Sequence, residues 1–115
     1  MSNVKTKKEL REQYKERKVI GGVYVIRNLL NNRLLLDSTV DIQGSRNRFE
    51  FAQKTGSCVD MKLQKDWAAQ KASDFSFDVL EELEMSQTQT RSEFKADIEY
   101  LRKSWVEELA HEDLY

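Results

Sequence analysis

Short apolar runs with a two-residue period predict three strands in this chain. Residues 23–28 and 33–38 are rich in β-branched residues and leucine, and the four residues between them end in Asn31 and Asn32. Asparagine tolerates the left-handed backbone of tight turns, so the two runs predict a β-hairpin. In residues 75–82 apolar and polar side chains again alternate, which predicts a third strand.

A helical period gives the strongest signal, and it lies in the last third of the chain. Thr90 and Glu93 have the spacing of a capping box. Large apolar residues then recur every three or four positions, at Phe94, Ile98, Leu101, Trp105 and Leu109. This pattern predicts an amphipathic helix that runs to about Ala110.

Three weaker helical signals precede it. Residues 6–18 open with another capping-box spacing and carry a thin apolar stripe, and Gly21-Gly22 is expected to end that helix. Residues 41–55 predict a basic helix that stops at Gly56. A third apolar stripe at i, i+4 and i+8 predicts a further helix and consists of Val59, Leu63 and Trp67.

The predicted order is α-β-β-α-α-β-α. It indicates an α+β fold with a small three-stranded antiparallel sheet flanked by helices. A chain of 115 residues fits one domain. We expect residues 1–19 to form a helical appendage and residues 20–115 to form the domain itself.

Alternation in the hairpin assigns its side chains to two faces. The aliphatic face, predicted to belong to the core, consists of Val23, Val25, Leu34 and Leu36. The other face consists of Tyr24, Ile26, Leu35 and Asp37. A phenol and a carboxylate are unfavourable on a fully buried face, so this second face is the candidate site. The alternative is that Tyr24 is an ordinary half-buried strand tyrosine with its hydroxyl at the rim.

Charge is divided unevenly along the chain. Residues 1–71 hold 15 basic and 8 acidic side chains, a net charge of +7, whereas residues 72–115 hold 4 and 12, a net charge of −8. One interpretation is that the two parts neutralise each other across the fold. The other is a basic surface for phosphates, with the acidic part facing elsewhere.

Several observations indicate where the protein acts. Cys58 is the single cysteine, so an internal disulfide is not possible and a reducing compartment is favoured. No apolar run approaches the roughly 18–20 residues of a membrane span, and the N-terminal charges are not followed by an apolar signal segment. We expect a cytoplasmic protein without membrane contact.

A family resemblance joins these pieces. The segments 22–24, 26–28, 31–33 and 37–39, read in order as GVY, IRN, NNR and DST, resemble the start of the GIY-YIG nuclease family. The similarity continues through LQKDW at residues 63–67 and FSFDVLEE at residues 75–82, and it covers roughly residues 20–110. The resemblance implies a three-stranded antiparallel sheet flanked by helices, in agreement with the periodicity.

Members of that family cut a phosphodiester with one divalent metal ion. If this chain is active, the resemblance implies that it uses Mg²⁺ or Mn²⁺. The resemblance implies that Tyr24 is the first-strand tyrosine that helps activate water. The family's second tyrosine falls on Leu35 and the following glycine on Asp37. The helix arginine that neutralises the phosphate falls on Ser45, beside Arg46.

The metal-binding glutamate of the family falls on Arg102 when Trp105 is taken as the anchor of the last helix. Glu99 lies three residues earlier on the same side of the helix and is the candidate substitute ligand. The resemblance therefore gives Tyr24 and Arg46 as catalytic candidates. The candidate nucleic-acid contacts are Arg27, Arg33 and Arg48.

Three hypotheses follow. The favoured one is a GIY-YIG-like domain with a degenerate catalytic set that binds nucleic acid, expected to be DNA, with weak or no cleavage. The second is an active metal-dependent DNA endonuclease with rearranged residues, a hydrolase. The third is a protein-interaction module that has only the fold. The net charge of −1 favours the third.

Overall fold

The computed structural model describes residues 18–115, and the predicted helix at residues 6–18 lies outside them except for Lys18. The strands are β1 (Ile20–Asn28), β2 (Leu34–Thr39) and β3 (Phe75–Glu84). The helices are α1 (Ile42–Thr55), α2 (Gln64–Ala69) and α3 (Arg91–Glu108), with 3₁₀ turns at Met61–Leu63 and Ala72–Asp74. The predicted α+β class is confirmed.

The described strands form an antiparallel sheet in the order β2-β1-β3, so β1 is central. Tyr24 lies opposite Asp37 and Ile26 lies opposite Leu35, which confirms the predicted hairpin and its faces. In the connection, Asn32 has a φ of 61°, the left-handed conformation that asparagine tolerates.

The expectation that Gly21-Gly22 separates a helix from the first strand is wrong, because both glycines lie inside β1. A Cβ atom on Gly22 would come within 2.0 Å of the Glu81 carbonyl oxygen, and one on Gly21 within 2.5 Å of the Thr39 oxygen. The pairing of β1 with β3 also shifts register between Val23 and Tyr24. The glycines are therefore needed where neighbouring strands approach closely around a bulge.

Local capping explains where α1 and the following turn begin. The Asp41 carboxylate accepts a hydrogen bond from the Gly44 amide at 3.0 Å, and Gly56 ends α1 with a φ of 80°. Asp60 accepts from the Lys62 amide and starts the 3₁₀ turn. The prediction that Val59 belongs to the next helix is wrong, because this cap places it in the preceding loop.

The capping box at the start of α3 is confirmed. The Thr90 hydroxyl accepts from the Glu93 amide at 3.1 Å, and the Glu93 carboxylate accepts from the Thr90 amide at 2.9 Å. Helix α3 contacts β1 and β2. Its residues Phe94 and Ile98 are buried, as are Val23, Val25 and Leu34 of the aliphatic hairpin face, whereas Leu36, the fourth residue of that face, is only partly buried.

The opposite face of the sheet carries a second apolar cluster, so the expectation of a separate site face needs correction. Ile26 and Leu35 are only 2% and 3% exposed because α1 and α2 cover them. The buried residues of this cluster are Ile26, Leu35, Phe49, Ala52, Leu63, Trp67 and Phe75. Tyr24 lies at the edge of the cluster and is half-buried. No helix within residues 18–115 is long and apolar enough to cross a membrane.

Candidate functional site

A cleft of about 620 Å³ opens on the Tyr24 face of the sheet. Its floor comes from the three strands, one wall from α1, and the other wall from residues 57–60. We call it the aromatic cleft. It is lined by Tyr24, Ile26, Leu35, Asp37, Ser45, Asn47, Arg48, Phe49, Phe51, Ala52, Ser57, Cys58, Val59, Asp60 and Phe77. The left-handed turn at Gly56 directs residues 57–60 back over the sheet.

Tyr24 stacks on Phe77 in this cleft, with ring centroids 4.6 Å apart and an interplanar angle of 24°. Burial raises the pKa of Tyr24 to about 12, and the carboxylate of Asp37 adds to the rise, while Arg48 opposes it. The phenol is therefore neutral at physiological pH. It can donate or accept a hydrogen bond, but it is not a phenolate base.

Helix α1 brings two arginines to this region. Arg48 lines the cleft and donates to the Ser45 hydroxyl at 2.9 Å. The guanidinium carbon of Arg46 lies 5.4 Å from the ring centroid of Phe77, the ring on which Tyr24 stacks. Among residues 18–115, neither arginine has an acidic side chain within ion-pair distance.

The structure does not bring Arg27 together with Tyr24. Alternation along β1 places Arg27 on the opposite face of the sheet, opposite Leu34. Its Nε atom lies 4.0 Å from the Asp78 carboxylate.

Arg33 is also engaged elsewhere. Its guanidinium lies 4.2 Å from the ring centroid of Tyr115, and its Nε atom lies 3.4 Å from Asp113. Residues 113–115 run beside the start of β2, where the Leu34 amide donates to the Asp113 carbonyl at 2.9 Å and the Tyr115 amide donates to the Leu34 carbonyl at 2.8 Å. Of the predicted arginines, only Arg46 and Arg48 lie beside the aromatic cleft.

No protein-family model and no curated protein sequence matches the chain. Two solved structures do. One is the catalytic domain of the intron endonuclease I-TevI in a mutant form, with a TM-score of 0.58, 25% identity, and coverage of 79% of this chain and 84% of that one. The other is the catalytic domain of the homing endonuclease I-TevI, with a TM-score of 0.54, 24% identity, and coverage of 78% and 88%. I-TevI is a GIY-YIG nuclease.

This chain has the GIY-YIG fold. The predicted resemblance is confirmed at the level of the structure, and it gives meaning to the residues around the aromatic cleft. Leu35, on which the resemblance places the family's second tyrosine, is 3% exposed and provides no hydroxyl. Asp37, on which the resemblance places the following glycine, brings a carboxylate into the cleft.

GIY-YIG nucleases generally require a divalent metal. The surroundings of the candidate ligand Glu99 therefore decide whether this chain fits such an ion. The Nε atom of Arg102 donates to the Glu99 carboxylate at 2.7 Å, and the Nη2 atom donates to the same oxygen. These hydrogen bonds lower the pKa of Glu99, and Arg102 is the residue on which the resemblance places the family's metal-binding glutamate. Within residues 18–115 there is no group of three or more His, Cys, Asp or Glu side chains suited to a metal. These donors do not fit Mg²⁺ or Mn²⁺.

Residues 57–60 are the part of the cleft that sequence reasoning missed. Asp60 and Cys58 line the cleft, yet the sequence suggested only a helix start for this segment. Phe51 was also missed: it lines the cleft and remains 65% exposed. The one available signal was the spacing of Arg48 and Phe51, three residues apart and so on one side of α1.

Proposed function

We propose that this GIY-YIG domain binds the phosphate backbone of DNA through Arg46 and Arg48 and cleaves it weakly or not at all. The observation that carries the proposal is that these two arginines have no acidic partner among residues 18–115. Arg27, Arg33 and Arg102 are each paired with a carboxylate. Guanidinium groups that have no carboxylate partner and lie beside an open cleft are suited to phosphate oxygens, which they bind by charge-assisted hydrogen bonds.

Weak cleavage follows from the residues that replace the family's catalytic groups. Leu35 supplies no hydroxyl, and the cation of Arg102 stands where a metal-binding carboxylate is required. Loss of one transition-state donor costs on the order of 3 kcal/mol, or about a hundredfold to a thousandfold in rate. Two such losses leave Tyr24 without the partners that the family's reaction needs.

The structural neighbours support DNA as the partner. Both are catalytic domains of the endonuclease I-TevI, described as an intron and a homing endonuclease. The aromatic cleft of this chain lies on the same fold. It contains Tyr24, on which the resemblance places the family's first-strand tyrosine.

A binding titration tests the first part of the proposal. Fluorescence anisotropy of a short labelled DNA is measured across a salt series for the wild type and for Arg46→Ala/Arg48→Ala. Because two phosphate contacts are removed, the variant is expected to bind more weakly, with a slope of log K against log salt that is shallower by about 2. The matched control is Arg91→Ala/Lys95→Ala, which removes two exposed cations from α3 and is expected to bind like the wild type.

A cleavage assay tests the second part. Nicked, branched and linear DNA are incubated with the protein and Mg²⁺ or Mn²⁺, and we expect mobility shifts without products. Metal-dependent products that disappear in Tyr24→Phe would overturn the proposal in favour of an active endonuclease. A protein that neither shifts nor cuts DNA would contradict it as well and would favour a protein-interaction module.

A further inference from the structure

The lining of the aromatic cleft combines aromatic rings with carboxylates. Four aromatic rings line it, those of Tyr24, Phe49, Phe51 and Phe77. Two carboxylates, Asp37 and Asp60, also line it, and both raise the pKa of Tyr24. Arg48 also lines the cleft, so its charged lining consists of two carboxylates and one guanidinium, while Arg46 lies outside the lining on α1. A phosphate would be repelled by the two carboxylates and attracted only by Arg48, so the part of the cleft beside Asp37 and Asp60 is better suited to a neutral group.

Phe51 is the most informative of the four rings. Phe49, its neighbour on α1, is 4% exposed and packs against Trp67 with centroids 6.2 Å apart. Phe51 is 65% exposed and still lines the cleft. Packing of the described residues does not account for an aromatic ring in this position. A flat ring at the mouth of a cleft provides a surface on which a planar ligand can stack.

The polar groups of the cleft match the edge of a nucleobase. Ionised carboxylates only accept hydrogen bonds, and cytosine, adenine and guanine each present an exocyclic amino group that donates. The neutral Tyr24 hydroxyl can donate or accept. A volume of about 620 Å³ falls in the range of small-molecule pockets, roughly 300–1,000 Å³. The space, the rings and the acceptors fit a base, while the phosphate is left to the arginines.

We infer that the aromatic cleft receives an unpaired base of single-stranded DNA, which stacks on Phe51 while its phosphate contacts Arg48. This inference rests on the proposed function and specifies its substrate class. Bases of a duplex are already stacked and paired, so they reach such a cleft only at the cost of unstacking. The domain is therefore a single-strand binder in preference to a duplex binder.

Three labelled probes of equal length separate the contribution of the bases from that of the phosphates. They are a cytidine oligodeoxynucleotide, an abasic oligodeoxynucleotide with the same number of phosphates, and a duplex. We expect the cytidine strand to bind about tenfold more tightly than the abasic strand and the duplex, as base–aromatic stacking predicts. Phe51→Ala is expected to abolish this tenfold preference and to leave abasic binding unchanged.

Tyr100→Ala is the matched control, because Tyr100 is a similarly exposed aromatic residue, at 72% against 65% for Phe51, on α3 outside the cleft. It is expected to keep the full preference for the cytidine strand, and circular dichroism checks that both variants are folded. Equal binding of cytidine and abasic strands, or a preference that survives Phe51→Ala, would overturn the inference. The proposed function would then still stand on the salt-dependent binding of the abasic strand. No binding of any probe would overturn both.

Discussion

The two faces of the sheet are built from the same strands but differ in how completely the helices cover them. On one face, Val23 and Val25 lie beneath α3, whose Phe94 and Ile98 are as completely buried as they are. On the other face, α1 and α2 cover Ile26 and Leu35 but leave the ring of Tyr24 half-exposed in a cleft. The closed face provides burial, and therefore stability, whereas the open face leaves polar and aromatic groups available to a ligand.

The Tyr24 face is itself unequal along β1. At the far end of the strand, Asn28 is fully buried and exchanges hydrogen bonds with Gln70, at 2.7 and 2.9 Å. It also donates to the Tyr115 hydroxyl at 2.9 Å and accepts from the Leu30 amide at 3.0 Å. Tyr115 donates in turn to Asp66 and lowers the pKa of that carboxyl. A satisfied polar network closes this end, while the Tyr24 end stays open.

Truncation on the closed face is expected to have the largest effect. Phe94→Ala removes a ring that is 1% exposed and leaves a cavity between α3 and the sheet, so it should lower the free energy of unfolding by about 4 kcal/mol. Urea denaturation measures the change. Tyr100→Ala on the exposed side of the same helix is the control, with an expected change within about 0.5 kcal/mol. A similar decrease in the free energy of unfolding in both variants would show that Phe94 of α3 is not packed against this face of the sheet.

Disruption of the polar network around Asn28 is expected to lower the free energy of unfolding by less than the truncation of Phe94. Asn28→Ala leaves the Gln70 amide and the Leu30 amide without their partner, which should lower the free energy of unfolding by about 3 kcal/mol. The same urea titration checks this value. In the double variant with Gln70→Ala the two losses should be less than additive, because one pair of hydrogen bonds is counted in both. Strict additivity would mean that the two amides act independently.

The sequence predicted those parts of this contrast that depend on residues close together along the chain, and not those that depend on contacts between distant segments. The hairpin, the Thr90 capping box and the stripe beginning at Phe94 are fixed by neighbours in sequence, so periodicity and capping rules located them. Gly21 and Gly22 looked like a helix stop because the close approach of Glu81 is a contact between distant segments. For the same reason Asp60 and residues 113–115 were missed as neighbours of the cleft and of Arg33.

The site residues show the same limit. Alternation placed Tyr24 and Asp37 on one face correctly, since register is a local property of a hairpin. It could not show that Arg33 binds the segment at Tyr115, because that contact joins distant parts of the chain. The pair of Glu99 and Arg102 is different, because the two residues are three positions apart on α3 and their spacing is compatible with an ion pair.

The smallest effect concerns the ionisation of Tyr24 at the open end. Its pKa is raised to about 12 in the fold, against an ordinary value near 10 in the unfolded chain. Below about pH 10 both states hold the proton and the stability is fully present. Between about pH 10 and 12 the unfolded chain loses the proton first, so stability falls as pH rises, by about 2 kcal/mol for a half-buried phenol.

Tyr24→Phe removes this group and is expected to lose about 2 kcal/mol less than the wild type when urea titrations at about pH 9 and about pH 12 are compared. Burial also raises the pKa of Tyr115, but that residue is present in both proteins, so its contribution cancels in the difference. Equal losses in wild type and variant would mean that Tyr24 ionises like an exposed tyrosine. The cleft would then be wetter than the stacked pair of Tyr24 and Phe77 implies, and stacking of a base there would contribute less.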